Sequence, residues 1–430
     1  MKIAIAGFGV EGKANYAYWN TPGNELVIAD EHSIPEGDVP KGAFTIIGED
    51  AFSGLEGFDM VIRTASLAPR KIITDGKVWS ATNEFFDKCP APIIGVTGTK
   101  GKGTTSSLIA AILRASGKTV HLVGNIGVPA LEALPEVKVD DVVVYELSSF
   151  QLWDLEKSPQ VAVVLGIEPD HLDIHADYAE YIAAKGHSTE NQNTTDRVVF
   201  NVASEAAVSI AGLSVGQRLP YPSERTAHVR GTFFYYGDSE LCEVSQLQLP
   251  GQHNVENACA AITAVWPWVQ DPAVIAEGLR SFDGLPHRLK FVAEVGDVRY
   301  FDDSIATTPG SAIAALKAFS EPKIIILGGS DKGALYDEVI KLCKDVGAQV
   351  IAIGSTGQKI QELCIRFGVD CKRVEDGMPE VVASAQALAR PGNVVILSPA
   401  SASFDQYENY ADRGEQFIAA VHQLEARESL

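Results

Sequence analysis

A glycine-rich stretch with the sequence GTKGKGTT, Gly98–Thr105, has the residue types needed to bind a nucleoside triphosphate. It follows the apolar run IIGVT and precedes a helix-like segment. Glycines let backbone N–H groups turn inward around phosphate oxygens, the helix start adds a positive dipole end, and Lys102 can reach the outer phosphates. The generic phosphate-loop pattern is not met, because Gly103 stands where that pattern has its metal-binding hydroxyl. Thr104 or Thr105 must then supply any hydroxyl to Mg²⁺.

Three further segments carry side chains that could act beside this loop. Glu146 ends the apolar run VVVYE, where a carboxylate is suited to hold Mg²⁺, with a surface acid as the alternative. His171 and His175 stand four residues apart in PDHLDIH, but the preceding proline favours a loop and no third soft ligand is near, so zinc is not expected. Lys185 in YIAAKGH, taken alone, is most simply a solvated lysine.

A second glycine pattern lies near the amino terminus. Gly7, Gly9 and Gly12 spell G-x-G-x-x-G, and Asp30 ends the next apolar run. This pattern is typical of a nucleotide-binding strand, turn and helix. Alone it fits either a bound nucleotide or a glycine-rich structural turn, and it does not say which nucleotide is bound.

Strand-length apolar runs recur along the whole chain and would form the sheets that position these loops. KIAIAGFG, ELVIAD and DMVIRT come first, the joint CPAP follows, and IIGVTG, VVVYE, QVAVVLG and DRVVFN come next. A β-rich patch and a helix from about His253 to Trp266 precede a third set, KIIILGG, QVIAIGS and NVVILSPAS. We predict an α/β protein of three domains. These are a Rossmann-like domain over 1–88, a central phosphate-loop ATPase-like domain over 89–284, and a Rossmann-like α/β domain over 285–430.

Composition excludes several classes of function. With 46% hydrophobic and 21% charged residues the chain is typical of soluble globular proteins. A net charge of −21 without a basic cluster argues against nucleic acid and anionic membranes as partners. No apolar segment reaches the ~18 residues of a membrane span, and the first apolar run is too short for a signal peptide. Six cysteines without a C-x-x-C pair fit reduced thiols, so we expect a cytoplasmic protein.

Eight motifs resemble, in their order, those of the Mur ligases of peptidoglycan precursor synthesis. They are TGTKGKGTT, YELSSFQL, DHLD with AAK, LPGQHNVENA, GLPHR, DDSIATTPGS, LGGSDKG and LSPASASFDQYENYADRG. The resemblance runs nearly from end to end. ELSSFQL and SPASASFDQ with RG look most like the branch of the family that adds D-glutamate.

The resemblance implies a reaction and its components. ATP and Mg²⁺, with two metal sites, would activate the carboxylate of UDP-N-acetylmuramoyl-L-alanine as an acyl phosphate, which the amine of D-glutamate would attack. The partners would be these small molecules, and the protein would be a monomer.

The resemblance also assigns roles by position. Lys102, His171 and Lys185 would be catalytic, and Lys185 matches a lysine that the family carbamylates, giving an anionic oxygen ligand for a hard cation. Metal ligands would be Thr104, Glu146, His171 and Lys185. ATP would contact Gly98, Thr99, Lys100, Gly101, Lys102, Gly103, Thr104, Thr105, Asn254, Asn257, Arg288 and Asp303. The UDP-sugar and D-glutamate would contact Gly7, Gly9, Val10, Glu11, Gly12, Asp30, Thr64, Asn125, Lys332, Ser403 and Tyr410.

At several positions the chain departs from the family pattern. The family usually has Asn where Lys100 stands, Ser or Thr where Gly103 stands, and Ser-Pro-Gly where Thr64 begins the sequence TAS. Its lysine in DSKAT is Ile305 here, which leaves Lys332 as the main candidate cation for D-glutamate.

Other functions remain open from the sequence. A sister amide ligase could add a different amino acid or act on folate. An NAD-dependent oxidoreductase could use the first glycine loop, but it leaves the Lys102 loop and the last domain unexplained. A nucleotide-binding regulatory protein could hydrolyse ATP without ligation. Phosphate release that requires both the UDP-sugar and an amino acid distinguishes the D-glutamate ligase from the last two.

Overall fold

The computed structural model of the protein describes residues 1–125, 128–331 and 333–428. Helices alternate with mostly parallel strands along the described chain, which confirms the predicted α/β class. Within the described ranges, no helix combines the length and the apolar composition that crossing a membrane requires.

The chain forms two compact units. The first unit holds Met1–Leu247 and Gln252–Phe282, and the second holds Gln248–Gly251 and the chain from Asp283 onward. The predicted boundary between residues 88 and 89 lies inside the first unit. The domain boundaries stay predictions.

A five-stranded parallel sheet opens the first unit. Its elements are Lys2–Ala6 (β1), Val10–Trp19 (α1), Glu25–Asp30 (β2), Phe44–Ile47 (β3), Met60–Arg63 (β4), Lys77–Ser80 (β5) and Ala81–Lys88 (α2). The strand order β3-β2-β1-β4-β5 places β1, which precedes the first glycine loop, at the centre. Both faces are covered, since Ile3 and Ile5 pack in one core and Ala4 and Val61 in another. Burial on both faces explains why the inner strands β1, β2 and β4 are mostly apolar.

A six-stranded parallel sheet forms the rest of the first unit. Its strands are Ile93–Thr97 (β6), Val120–Gly124 (β7), Val142–Glu146 (β8), Val161–Val164 (β9), Arg197–Asn201 (β10) and Gln217–Tyr221 (β11). Its helices are Lys102–Ala115 (α3), Ala130–Ala133 (α4), Ser149–Leu152 (α5), Tyr178–Gly186 (α6), Glu205–Leu213 (α7), Gln252–Val265 (α8) and Pro272–Ser281 (α9). The order β11-β10-β9-β6-β8-β7 puts β6 between β9 and β8. The carboxyl ends of these three strands therefore lie side by side at one edge of the sheet. In open α/β sheets ligands bind at this edge.

A small antiparallel sheet lies between α7 and α8 in the chain. It consists of Ala227–Arg230 (β12), Phe233–Tyr236 (β13) and Ser239–Glu243 (β14). This is the β-rich patch that the sequence predicts. The predicted helix from about His253 to Trp266 is α8, whose bounds differ by one residue at each end.

The second unit is built on another six-stranded sheet. Its strands are Lys290–Val295 (β15), Val298–Asp302 (β16), Lys323–Gly328 (β17), Gln349–Ile353 (β18), Cys371–Arg373 (β19) and Val394–Leu397 (β20). Its helices are Pro309–Lys317 (α10), Asp337–Asp345 (α11), Gly357–Phe367 (α12), Met378–Leu388 (α13) and Tyr410–Glu428 (α14). The order is β15-β16-β20-β17-β18-β19, and only the hairpin partner β15 runs antiparallel. Short 3₁₀ turns elsewhere are Glu36–Asp38, Pro69–Lys71, Leu134–Glu136 and Val244–Gln246.

Candidate active site

The loop between β6 and α3 makes a tight turn that ends at Gly101. Gly101 has a φ of 84° and caps α3 without a side-chain hydrogen bond, as a residue without a side chain must. The backbone N–H of Thr105 donates to the carbonyl of Gly101 at 2.9 Å, and Gly103 and Thr104 lie buried in the first turn. This arrangement is suited to an anionic ligand at a helix start.

Two lysine side chains meet at this loop. Lys102 Nζ donates to the carbonyl oxygens of Gly98 and Thr99 at 3.2 and 3.0 Å. Lys185 Nζ, from α6, donates to the same Gly98 carbonyl at 2.9 Å and to Thr97 Oγ1 at 3.3 Å. The structure therefore brings together two lysines that are 83 positions apart in the sequence (185 − 102).

Lys185 is not the solvated lysine that its local sequence suggests. Its side chain is buried, and its Nζ lies 4.5 Å from the centre of the Tyr181 ring. Burial, and next the charge of Lys102, lower the pKa of Lys185 well below its usual value, while Asp170 acts in the opposite direction. Both causes favour the neutral amine, which is the nucleophilic form.

Glu146 lies at the same edge because β8 pairs directly with β6. The register aligns Glu146 with Val96 on one side and with Gly124 of β7 on the other. Its side chain is buried, and Asn125, which follows β7, is exposed. A buried carboxylate in register with the end of β6 is therefore close to the phosphate loop.

The segment after β9 forms hydrogen bonds with the phosphate loop. The backbone N–H of Thr99 donates to the Gly166 carbonyl at 2.9 Å, and Thr99 Oγ1 bonds Glu168 and lies 3.0 Å from Tyr181 Oη. Lys100 is directed to the surface instead, where its Nζ lies 3.3 Å from a carboxylate oxygen of Glu168. Lys100 thus makes a surface ion pair in the described structure.

His171 and His175 have different environments. His171 is half-exposed, has a φ of 54°, and its Nε2 lies 3.6 Å from Asp170 Oδ2. His175 is buried, and its Nε2 lies 2.9 Å from Ser149 Oγ at the start of α5. Among the described residues no group of three or more His, Cys, Asp or Glu side chains is arranged to hold a metal.

Ser149, Thr97 and Tyr181 contact these candidates, and sequence reasoning did not single them out. Ser149 bonds His175, Thr97 bonds Lys185, and Tyr181 lies against both Lys185 and Thr99. The available signals were the positions of Thr97 at the end of a strand and of Tyr181 one helical turn before Lys185.

Helix α8 contributes two asparagines to the phosphate loop. Asn257 is nearly buried and its Nδ2 donates to Asn254 Oδ1 at 3.2 Å. A Cβ atom on Gly101 would lie 2.6 Å from Asn257 Oδ1, so only glycine allows this close approach. The structure therefore places Asn257 beside the loop, with Asn254 bonded to it, and the binding of a nucleotide by these two residues stays a prediction.

The amino-terminal glycine loop is shaped by carboxylates. Asp30 accepts hydrogen bonds from the backbone N–H groups of Phe8 and His32 at 2.7 and 2.9 Å. Gly7 has a φ of 90°, and a Cβ on Gly12 would clash with the Gly7 carbonyl. Both glycines are therefore required by the turn.

The remaining residues predicted for this loop differ in their solvent exposure. Val10 is 90% exposed at the start of α1, and Gly9 caps that helix. Glu11 accepts a hydrogen bond from the backbone N–H of Ala65 at 2.9 Å, and Thr64 is buried with its Oγ1 donating to the carbonyl of Ala6 at 3.2 Å. The loops after β1 and β4 are thus bonded to each other.

The second unit holds the other predicted nucleotide residues. Asp303 follows β16, is buried, and accepts hydrogen bonds from Ser398 Oγ at 2.7 Å and from the backbone N–H of Leu289 at 3.1 Å. Burial raises the pKa of Asp303 to about 7 despite these bonds. Arg288 is exposed on the preceding loop, and Ile305 is half-buried.

The residues predicted for D-glutamate lie near the start of α14. Ser403 is buried, and Tyr410 is 41% exposed at the first position of the helix. Lys332 lies outside the described residues. Arg413 belongs to the motif LSPASASFDQYENYADRG, but the sequence predicted no role for it. It is fully buried and donates to Ser304 Oγ at 2.9 Å and to the Ser401 carbonyl at 3.1 Å. Burial lowers the pKa of Arg413 to about 10.

Comparison with known proteins accounts for most of the chain. A family model described as Mur ligase middle domain matches residues 96–265, and one described as Mur ligase, glutamate ligase domain matches residues 287–401. These two regions contain the phosphate loop with its lysines, and the strand that leads to Asp303.

Curated relatives match along nearly the whole length. The UDP-N-acetylmuramoylalanine--D-glutamate ligase of Clostridium tetani is 35% identical over 448 residues, covering 98% of this chain and 97% of that protein. The enzyme of the same name from Acetivibrio thermocellus is 35% identical over 454 residues, covering 99% and 97%.

Solved structures share the fold at lower identity. UDP-N-acetylmuramate-alanine ligase from Thermotoga maritima superposes with a TM-score of 0.62 at 19% identity, over 98% of this chain and 99% of that one. Mycobacterium tuberculosis folylpolyglutamate synthase, solved with ADP, gives 0.57 at 16% identity, over 80% and 93%. The solved structures show the shared fold, and the family models and the full-length relatives establish that the chain belongs to the Mur ligase family.

Proposed function

We propose that the protein is the ligase that joins D-glutamate to UDP-N-acetylmuramoyl-L-alanine in peptidoglycan precursor synthesis, converting ATP to ADP and phosphate. The observation that carries this proposal is the match to D-glutamate ligases over nearly the full length of both chains. The phosphate loop with Lys102 and Lys185 at one edge of the central sheet supports an ATP site in the same chain.

The chemistry proceeds by two displacements. A carboxylate oxygen of the UDP-sugar attacks the terminal phosphorus of ATP, which releases ADP and forms an acyl phosphate. The amine of D-glutamate then attacks the acyl carbon, phosphate leaves, and the nitrogen loses a proton to give the amide. Lys102 and the N–H groups at the start of α3 neutralise charge on the transferring phosphoryl group.

The residues at this edge fit Mg²⁺. Glu146 is a buried carboxylate beside the phosphate loop, and Mg²⁺ is usually held by one or two carboxylates together with phosphates and water, so no all-protein cage is needed. Bound Mg²⁺ would supply charge neutralisation for the phosphates. Thr104 and His171 would complete the protein ligands, and we propose two metal sites.

We further propose that Lys185 is carbamylated. Its lowered pKa provides a neutral amine, and addition of this nitrogen to the carbon of CO₂, with loss of a proton, gives a carbamate. The carbamate oxygens would offer the metal an anionic ligand where an ammonium group cannot bind it. The buried site beside Gly98 would protect the adduct from water.

The other substrates would bind at the loops of the five-stranded sheet and of the second unit. The loop of Gly7, Gly9 and Gly12 with Asp30 would receive UDP, and Asn125 would line the path of the muramoyl group. Arg288 and Asp303 would also contact the nucleotide. Ser403, Tyr410 and Lys332 would contact D-glutamate.

Lys332 would be the main cation for D-glutamate, because Ile305 replaces the usual lysine. Lys332→Ala should raise the KM for D-glutamate much more than that for ATP. Ile305→Lys should be tolerated or should improve the use of D-glutamate.

The domain limits 1–88, 89–284 and 285–430, a monomeric state and a cytoplasmic location are part of the same proposal. Size-exclusion chromatography with light scattering tests the oligomeric state.

The direct test is a coupled assay of phosphate release with UDP-N-acetylmuramoyl-L-alanine and one amino acid at a time. D-Glutamate, L-lysine, diaminopimelate and D-alanyl-D-alanine are the four amine donors. Release that requires both the UDP-sugar and D-glutamate supports the proposal. A preference for another donor identifies a sister ligase, and release without any donor identifies an ATPase.

A further inference from the structure

Arg63, the last residue of β4, is fully buried although the proposed reaction assigns it no role. A buried guanidinium is costly unless its N–H groups are paired. Its Nε and Nη2 atoms donate to the two carboxylate oxygens of Asp154 at 2.7 and 2.5 Å. This is a bidentate ion pair, which fixes the relative orientation of the guanidinium and the carboxylate as well as the distance between them. Asp154 belongs to the segment after α5. The pair therefore connects the five-stranded sheet to the part of the first unit built on the six-stranded sheet β6–β11.

The remaining N–H groups of Arg63 form hydrogen bonds with the loop after β4. Nη1 donates to the carbonyl oxygens of Thr64, Ala65 and Leu67 at 3.2, 3.1 and 3.3 Å. Nη2 also donates to the carbonyl of Phe150, in α5, at 2.9 Å. One side chain therefore closes the 64–67 loop and attaches it to the helix that follows Glu146.

This loop contacts the amino-terminal glycine loop on its other side. The backbone N–H of Ala65 donates to Glu11, whose pKa is raised by burial and lowered in part by this bond and by Arg63. The side chain of Thr64 donates to the carbonyl of Ala6, just before Gly7. A continuous set of hydrogen bonds thus runs from the first glycine loop through Arg63 to α5.

Helix α5 is in turn part of the central site. Its first residue, Ser149, bonds His175, and it begins three residues after Glu146. The hydrogen bonds of Arg63 therefore fix the first glycine loop relative to the sheet edge that carries Glu146 and the phosphate loop, which Lys185 contacts from α6.

We infer that Arg63 is a positioning residue that sets the distance between the UDP-sugar site and the ATP site. The inference rests on the proposed function, since a substrate anchored at the first loop must deliver its carboxylate to a phosphate bound at the second. Small displacements of bound reactants cost large factors in rate, and a rigid link between the two loops prevents them. Arg63 itself touches neither reacting group.

The test compares Arg63→Met, Arg63→Lys and Asp154→Asn with the control Lys77→Met. Lys77, on β5, forms an ion pair with Glu156 at 3.3 Å between the same two parts of the first unit, but both side chains are about half-exposed. Exposed pairs contribute little, so Lys77→Met should behave like the wild type. The measurements are kcat, the KM values for the UDP-sugar and ATP, and the melting temperature with and without ADP.

For Arg63→Met we expect kcat to fall about a hundredfold, with the KM for ATP and the stabilisation by ADP unchanged. Asp154→Asn and Arg63→Lys should fall between this variant and the wild type, because each keeps part of the hydrogen-bond set. If Arg63→Met does not fold, these two milder variants decide the question by the same criterion.

Values of kcat within about twofold of the wild type for all variants that fold would overturn the inference, whatever their melting temperatures. Equal losses of ATP and UDP-sugar binding would overturn it as well, since they would indicate general damage to the unit. A wild-type enzyme that shows no phosphate release dependent on the UDP-sugar and D-glutamate would overturn the proposed function, and the inference with it. An active wild type together with unaffected variants would overturn the inference alone.

Discussion

The glycine loops after β1 and β6 share a backbone design but differ in charge. Each follows the end of a buried strand, turns on glycines and starts a helix capped by glycine without a side-chain hydrogen bond. In the first loop the backbone N–H of Phe8 donates to the carboxylate of Asp30, and Glu11, in the helix that the loop starts, accepts from the backbone N–H of Ala65 in the loop after β4. The second is contacted by Lys102 and Lys185, which donate to backbone carbonyls.

The difference shows how one turn can serve two tasks. Carboxylates that are bonded to backbone N–H groups shape a loop but cannot neutralise a transferring phosphoryl group. Lys102 at the second loop can, because charge stabilisation in a buried site is strong. We therefore expect anchoring at the first loop and chemistry at the second.

Lys102→Ala should give the largest effect, because it removes a cation from the loop where charge develops. We expect kcat to fall about a thousandfold or more with an unchanged circular dichroism spectrum. Lys118→Ala, on the exposed turn after the same helix, is the matched control and should retain full activity. Normal turnover of a folded Lys102→Ala enzyme would contradict the division of tasks between the loops.

Lys185→Ala should lower kcat about a hundredfold, and acetate should restore part of the activity by supplying the missing carboxylate oxygens. The companion variant Lys185→Met should melt at the same or a higher temperature than the wild type, because it removes the cost of burying an amine. Full activity of Lys185→Ala without acetate would return this residue to a structural role.

Asp30→Asn should have a smaller effect that is confined to the first loop. The amide can accept only one of the two backbone hydrogen bonds that Asp30 now accepts, so we expect the KM for the UDP-sugar to rise about tenfold with the KM for ATP unchanged. Asp59→Asn is the control, since Asp59 accepts a backbone N–H from Lys2 elsewhere at the same sheet. A rise in the KM for ATP would show that the loops are not separate in function.

Ligand binding tests the assignment of UDP to the first glycine loop. UDP-sugar at about a hundred times its Kd should stabilise the protein by about 2.7 kcal/mol, whereas NAD should not raise its melting temperature. Stabilisation by NAD alone would favour an oxidoreductase and would remove the UDP assignment from the first loop.

The last effect concerns Asp303 in the second unit and bears on stability and not on activity. Its pKa is about 7 in the folded protein, against an ordinary value of 3.8, so between these pH values the folded protein keeps a proton that the unfolded chain has released. The free energy of unfolding should therefore fall as pH rises from about 4 to about 7, by at most about 1.4 kcal/mol per pH unit from this group. Asp303→Asn should flatten this dependence in urea titrations.

Glu294→Gln, at an exposed position on β15, is the matched control and should leave the slope unchanged. An unaltered slope in Asp303→Asn would show that the carboxyl is not protonated in the folded protein.

The sequence by itself determined the elements and the loops. Buried parallel strands must be apolar on both faces, so runs such as VVVYE and KIIILG are recognisable without a structure, and the glycines of both loops are visible because no other residue can make those turns. Order along the chain and the motif resemblance then placed the loop lysine, Glu146 and the asparagines of α8 at one site.

Only the tertiary structure decided the environments of single polar side chains. Lys185 looks solvated in YIAAKGH, yet folding buries it against Gly98 and beside Lys102, which changes its pKa. Arg63 looks like the end of an ordinary strand, yet its bonds to Asp154 and Phe150 join residues about 90 positions apart. Burial and long-range pairing depend on which segments pack together, and local sequence carries no record of that packing.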